Sequence, residues 1–201
     1  MIKVILFDAD GMLVITEMFS VQYCRESNVP YEEILLFFKN EFSPCLIGQA
    51  DLKEKVSPYL EKWGWNKSVE EFLEYWFESE NHIDHRVVKV IKELREKGIK
   101  CCLLTNQEKY KIEFMRERMN FAEIFDRVFS SAEAGAKKPS PEIFEYVTRE
   151  LGDVKKEEIM LWDDKEKNVR GAEEFGFKAS IYKDFESFKK EIDKIILYGN
   201  N

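Results

Sequence analysis

The sequence predicts an α/β fold, a doubly wound parallel sheet carrying an extra helical unit inserted after its first strand. Three observations carry this reading. Short runs that are apolar at successive positions recur along the chain: "VILF" (4–7), "IKCCLLTN" (99–106), "RVFSS" (127–131), "IMLWDD" (159–164) and "KASIY" (178–182). Runs without polar alternation suit strands buried on both faces beneath helices. Amphipathic helical patterns lie between them, and alternating strand and helix is the pattern of an open α/β sheet. The third observation is a spacing. The first run ends at Phe7 and the second opens at Ile99, far more than the dozen or so residues a parallel crossover needs.

The helical patterns can be taken in order. "EEILLFFKN" groups Ile34, Leu35, Phe37 and Phe38, and "VEEFLEYWFESE" groups Phe72, Leu73, Tyr75 and Trp76. "FSPCLIGQA" (42–50) reads as the loop between these helical segments. "RVVKVIKELREKG" gathers Val87, Val88, Ile91 and Leu94 and stops at Gly98, so it already supplies the crossover into the second strand. The surplus residues, 14–84, are therefore expected to form a separate helical domain, with residues 1–13 and 85–201 forming the α/β core. "PEIFEYVTRELG" has Pro141 at its start and Gly152 at its end. "FESFKKEIDKIILY" aligns Phe185, Phe188, Ile192, Ile195 and Ile196.

Composition narrows the function. The 201 residues are 44% hydrophobic, with 16 Phe, and carry a net charge of −8. Such a balance disfavours an extended nucleic-acid surface or an acidic membrane as partner. It leaves room for a small anion, whose local field a metal ion or one or two lysines can reverse. The four cysteines, Cys24, Cys45, Cys101 and Cys102, show no C-x-x-C spacing. Cys101 and Cys102 fall within an apolar run and read as buried thiols. His82 and His85 lie in a polar stretch without cysteine neighbours and read as surface residues near the domain junction. No signal-peptide pattern and no run long enough to span a membrane is visible, so a cytoplasmic setting is expected. The aromatics Trp63, Trp65, Tyr75, Trp76 and Phe77 read as the small core of the inserted unit.

Ligands of open parallel sheets bind beyond the carboxyl ends of the strands. Those ends carry Asp8 and Asp10, then Thr105 and Asn106, then Asp163 and Asp164, and "GAKKPSPEIF" adds Lys137 and Lys138. Singly, each has an ordinary explanation as turn, cap or solvated loop. Together they would gather several carboxylates, a hydroxyl and a lysine at one sheet edge. Aspartates so clustered repel unless a divalent cation neutralises them, and oxygen-only ligands suit magnesium.

Four ordered signatures, "FDADG", "CLLTN", "KKPSPEIF" and "LWDDKEKNVRGA", resemble those of the haloacid-dehalogenase-like hydrolase superfamily. The place of the insertion resembles its first subclass, which has a Rossmann-like core and a helical cap. The resemblance implies a Mg²⁺-dependent phosphatase acting on a small phosphorylated metabolite, as monomer or homodimer. Asp8 would be the nucleophile and form an aspartyl phosphate, with Asp10 as general acid and base. Thr105 and Lys138 would hold the phosphoryl oxygens, with Asn106 at the same phosphate site. Asp8, the backbone carbonyl of Asp10, and Asp164 or Asp163 would hold the metal, Asp164 in preference, with Asn168 behind them. By the same resemblance the second aspartate, Asp10, separates phosphoryl transfer from 2-haloacid dehalogenation. Met12 and Ile15 stand where many relatives carry Thr and Asp; the first removes a hydroxyl near the nucleophile, and the second argues against the sugar-phosphate mutases nearest the common pattern. The competing readings are a phosphomutase of a sugar phosphate and a binding module without catalysis. Specificity contacts are expected in the loop from Phe42 to Gln49.

Overall fold

The structure is a computed structural model and describes residues 1–198. β1 (Val4–Phe7) is followed by five helices, α1 (Phe19–Ser27), α2 (Tyr31–Asn40), α3 (Phe42–Cys45), α4 (Leu52–Leu60) and α5 (Val69–Ser79). The chain then returns through α6 (His85–Glu96) to β2 (Lys100–Thr105). α7 (Lys109–Glu117) and α8 (Phe121–Ile124) lead to β3 (Arg127–Ser130). α9 (Ser131–Ala134) and α10 (Pro141–Leu151) precede β4 (Ile159–Asp163), and α11 (Glu166–Phe175), β5 (Lys178–Ile181) and α12 (Phe185–Tyr198) complete the order.

All four strand pairings are parallel, in the order β3-β2-β1-β4-β5. β1 sits at the centre, buried throughout. Its residues alternate between two cores, as a period of two requires. Ile5 and Phe7 join the layer built with α6 and α12, while Val4 and Leu6 join the layer beneath α10 and α11. The doubly wound sheet is thus explained by strands that are apolar on both faces. The outer strands β3 and β5 keep only one sheet neighbour, and they are correspondingly less buried than the apolar runs suggest.

Two local expectations are corrected. The buried stripe of α6 is Val87, Val90, Ile91 and Leu94, with Val88 only half-buried. Steps of three, one and three residues keep a stripe on one helix face, whereas Val88 stands 100° away from Val87. The stretch 42–50 is not wholly loop, because Phe42–Cys45 forms the turn α3. Pro44 lies in its first turn, where its missing N–H would have had no partner in any case.

Entry to and exit from the five-helix segment are stitched together. Ile15 donates its N–H to the His82 carbonyl at 3.0 Å, and Asp84 donates to that of Leu13 at 2.9 Å. His82 and His85 are both exposed at this crossing. Within the segment, aromatic rings interlock: Phe19 stacks on Trp76 with centroids 4.9 Å apart, and Trp63 meets Phe37 edge-on at 5.4 Å. Cys101 and Cys102 are buried free thiols in β2. No helix among the described residues is long and apolar enough to cross a membrane.

Candidate active site

The strand order reverses at β1, and the register there opposes Phe7 with Trp162. Asp8, one step beyond β1, and Asp163, the last residue of β4, therefore emerge side by side at a topological switch point. Between them stands Lys138, whose Nζ lies 2.9 Å from Asp8 Oδ1 and donates to Asp163 Oδ2 at 2.6 Å and to the Leu104 carbonyl at 2.7 Å. All three side chains are buried. The loop carrying Lys138 is pinned by Asn106, whose amide donates to the Lys138 carbonyl at 3.0 Å while its oxygen accepts the Lys138 N–H at 2.8 Å. Gly171 of α11 lets that helix close on the same loop, for a Cβ there would stand 2.6 Å from the Pro139 carbonyl.

One lysine serves two carboxylates, and they share it unequally. Asp163 also accepts both contacts of the Asn168 amide, at 2.9 and 3.0 Å, and the Lys165 N–H at 2.9 Å. Burial works against its charge, but Lys138 and these donors hold it below the usual carboxylate range. Asp8 has fewer partners. Burial pushes it up to about 7, only partly offset by Lys138, with the charges of Asp163 and Asp10 adding to the rise. Lys138 itself is desolvated, yet the two aspartates raise it and keep it cationic.

Asp10 turns its carboxylate elsewhere, accepting from Gln107 Nε2 at 2.6 Å. Burial and the nearby charge of Glu80 raise its pKa, with Lys111 opposing. Asp164 stands against the first turn, and Gly11 (φ +82°) makes room for it: a Cβ there would collide with Asp164 Oδ2. Asp164 Oδ1 is buried and accepts no hydrogen bond among the described residues, the Lys165 ammonium staying 3.8 Å away. Thr105 Oγ1, at the tip of β2, is buried and likewise without a partner among them. Orphaned polar atoms are costly inside a protein, and at a strand-end cluster they leave donors and acceptors open to a bound ion or ligand. Asp8, Asp163 and Asp164 each bring a carboxylate oxygen within 4.8 Å of the others. With Asp164 unsatisfied and the donors all oxygen, this set fits a hard divalent cation such as magnesium.

A family model for haloacid dehalogenase-like hydrolases matches residues 2–176, most of the chain and every strand end just described. The chain belongs to the haloacid dehalogenase-like hydrolases. Among curated relatives, pyrophosphatase PpaX of Bacillus cereus is 25% identical over 188 residues, covering 89% of this chain and 82% of the relative. Sesquiterpene phosphatase astK of Aspergillus oryzae is 31% identical over 93 residues, covering 46% of this chain and only 47% of the relative. Among solved structures, a variant of a haloacid dehalogenase family enzyme from Bacteroides thetaiotaomicron, in complex with magnesium and inorganic phosphate, superposes with a TM-score of 0.78 at 22% identity. That superposition covers 94% of this chain and 99% of the other, and it shows a shared fold.

Within this hydrolase the strand-end residues singled out by sequence converge, with distinct neighbours. Asp163 is fully engaged with Lys138 and Asn168, which leaves Asp164 as the carboxylate with free capacity. Asn106 directs both ends of its amide to the backbone of Lys138. Lys137 lies outside this group and reaches Ser43 Oγ at 3.1 Å. Sequence reasoning missed Gln107, Glu80 and Lys111. Gln107 directly follows "TN", and its place beside that strand end was the one signal available. Trp76 and Phe77, assigned to the inserted segment's own core, are buried there but also line a cavity that opens over Asp10 and Asp164. Phe42 and Leu46, from the loop expected to carry specificity contacts, line it as well.

Proposed function

We propose that this hydrolase is a magnesium-dependent phosphatase that cleaves a small phosphomonoester through an aspartyl phosphate on Asp8. The observation that carries the reading is the buried Lys138 beside Asp8, with the partnerless Thr105 hydroxyl at the adjacent strand end. A fixed cation and an uncommitted hydroxyl around one carboxylate suit a transferring phosphoryl group, whose equatorial oxygens need stabilisation. Asp8 attacks phosphorus as the bond to the leaving alcohol breaks, and Asp10 gives its proton to that oxygen. A water then attacks the same phosphorus and surrenders a proton to Asp10, and the bond to Asp8 breaks to release inorganic phosphate. The raised pKa of Asp10 suits a group that must hold a proton in the first half of the cycle.

Asp8, Asp164 and the backbone carbonyl of Asp10 would hold the metal, while Asp163 orients Lys138. When bound, the ion would supply positive charge that keeps Asp8 ionised and offsets the phosphate. Residues 14–84 would act as a cap over the site and limit its exposure to water. Four free cysteines accord with a reducing, cytoplasmic setting.

The test is hydrolysis of 4-nitrophenyl phosphate with magnesium, with chelator, and with Asp8→Asn. The expected result is turnover that requires magnesium and is lost in the variant. Turnover that survives Asp8→Asn would remove the covalent mechanism.

A further inference from the structure

The cavity above Asp10 and Asp164 has a volume of about 530 Å³, within the range of small-molecule sites. Its floor includes Asp10, Gly11 and Asp164, so it borders the residue proposed to protonate the leaving oxygen. Its walls come from the inserted helices and are apolar: Phe19 from α1, Leu35 and Phe38 from α2, Phe42 from α3, and Trp76 and Phe77 from α5.

Most charged groups on the wall are already committed; the Lys165 ammonium stays 3.8 Å from Asp164 Oδ1 and half-exposed, and Trp76 Nε1 is a buried donor without a partner among the described residues. Glu80 accepts the Phe19 N–H at 3.1 Å and Lys111 Nζ at 3.1 Å. Lys111 lies over the Phe77 ring, 5.0 Å from its centroid. Glu108 accepts the Lys111 and Tyr110 N–H groups at the start of α7, and Gln107 donates to Asp10. A sugar placed here would bury several hydroxyls against rings and aliphatic chains. Each unpaired hydroxyl weakens binding, because its hydrogen bonds to water are not replaced. At the mouth two apolar side chains meet solvent, Met18 at 64% and Tyr31 at 38% exposure, beside the exposed Thr16 and Lys165. Exposed apolar side chains rimming a cavity are a recurrent mark of a binding site.

We infer that the substrate is a phosphomonoester of an apolar alcohol, alkyl or aryl, whose carbon body fills the cavity between α1, α2, α3 and α5. The inference rests on the phosphatase reading and adds the chemical class of the leaving group. In the reaction the P–O bond to that alcohol breaks, Asp10 protonates the departing oxygen, and the alcohol is released with its carbon body still against the aromatic wall.

The experiment has two arms. In the first, kcat/KM is measured for the magnesium-loaded protein on straight-chain alkyl phosphates from ethyl to octyl, on 1-naphthyl phosphate, and on glycerol and hexose phosphates. Burial of each methylene predicts a rise of at least about twofold, so at least about sixtyfold from ethyl to octyl. The naphthyl ester is expected to exceed the hexose phosphates by about tenfold or more, since their hydroxyls go unpaired. In the second arm, binding of the corresponding non-hydrolysable alkyl phosphonates is followed by calorimetry and by tryptophan fluorescence, which Trp76 should report. Affinity is expected to climb with chain length in the same way. Met18→Glu and Tyr31→Glu, both at the exposed mouth where the fold tolerates charge, are expected to cut the octyl-to-ethyl affinity ratio at least about fivefold. Flat chain-length dependence, or preference for hexose phosphates, overturns the apolar class and leaves the phosphatase reading standing. Absence of turnover on every ester sinks the phosphatase reading instead, and phosphonate binding then still decides whether the cavity takes an apolar chain.

Discussion

Asp10 and Asp8 are two residues apart in sequence, yet they meet different surroundings: Lys138 faces Asp8, and Gln107 faces Asp10. That division predicts different variants. Asp10→Asn should lower kcat on an alkyl phosphate by about 10²- to 10⁴-fold, the usual worth of a positioned acid. The loss should be smaller on 4-nitrophenyl phosphate, whose leaving group needs little protonation, and parallel assays of the two esters check this. Asp163 and Asp164 should also separate. Asp164→Asn should raise the magnesium concentration needed for half-maximal activity, because its free oxygen is the one available to a cation. Asp163→Asn should instead lower stability by about 3 kcal/mol, the cost of breaking a buried ion pair from one side, measured by urea unfolding. Most of these side chains were legible in the sequence because each ends an apolar strand, where a carboxylate or hydroxyl has little structural reason to recur. Gln107, Glu80 and Lys111 were not. Each is an ordinary polar residue in a loop or helix end, and its meaning comes from partners on another part of the chain, Asp10 or Phe19.

The elements were read best where period and punctuation agreed. α10 has Pro141 at its first position, Gly152 just past its end, and Ile143, Phe144, Val147 and Leu151 buried as the spacing implies. α3 was missed because one turn gives too few residues to show a period, and proline disguised it. The close approach of α11 to the Lys138 loop could not be read at all, since Gly171 sits in a helix where glycine signals nothing specific about its neighbour. It yields a prediction nonetheless. Gly171→Ala puts a methyl 2.6 Å from a backbone oxygen, so loop or helix must shift. Overpacking of this kind costs about 1–3 kcal/mol. A lower melting temperature is expected together with reduced kcat, because the loop that moves carries Lys138. A fall in stability with kcat untouched would show that the helix, not the loop, gives way.

Across the whole molecule, one apolar cluster runs from the inserted helices through Phe77 and Phe114 to the sheet face under α6 and α12. Charged groups trapped within such a fold make its stability depend on pH. Glu108 is buried and shifted up to about 7 from an ordinary 4.5 by desolvation, despite capping α7. Between those values the folded chain holds a proton that the unfolded chain has lost, so this group's contribution declines as pH rises from about 4.5 to about 7 and is constant above. Glu108→Gln stays neutral and keeps one acceptor for the helix end. Denaturation at a series of pH values should therefore show the variant gaining on the parent from about pH 5 to about pH 7, with the difference level above. A difference independent of pH would mean that Glu108 is ionised throughout.

The strand order has a consequence in time. β1 is made before the strands that flank it, and β2 and β4 lie far downstream of it. A growing chain exposes "VILF" with nothing to pair with, while α1 to α5 can gather around contacts that are near in sequence. Contacts so distant in sequence form slowly, and domains emerging from synthesis fold in the order their contacts become available. Asp8 acquires Lys138 only after α9 has been made, and Asp163 later still. The residue proposed to attack phosphate is thus synthesised long before the neighbours that complete its site.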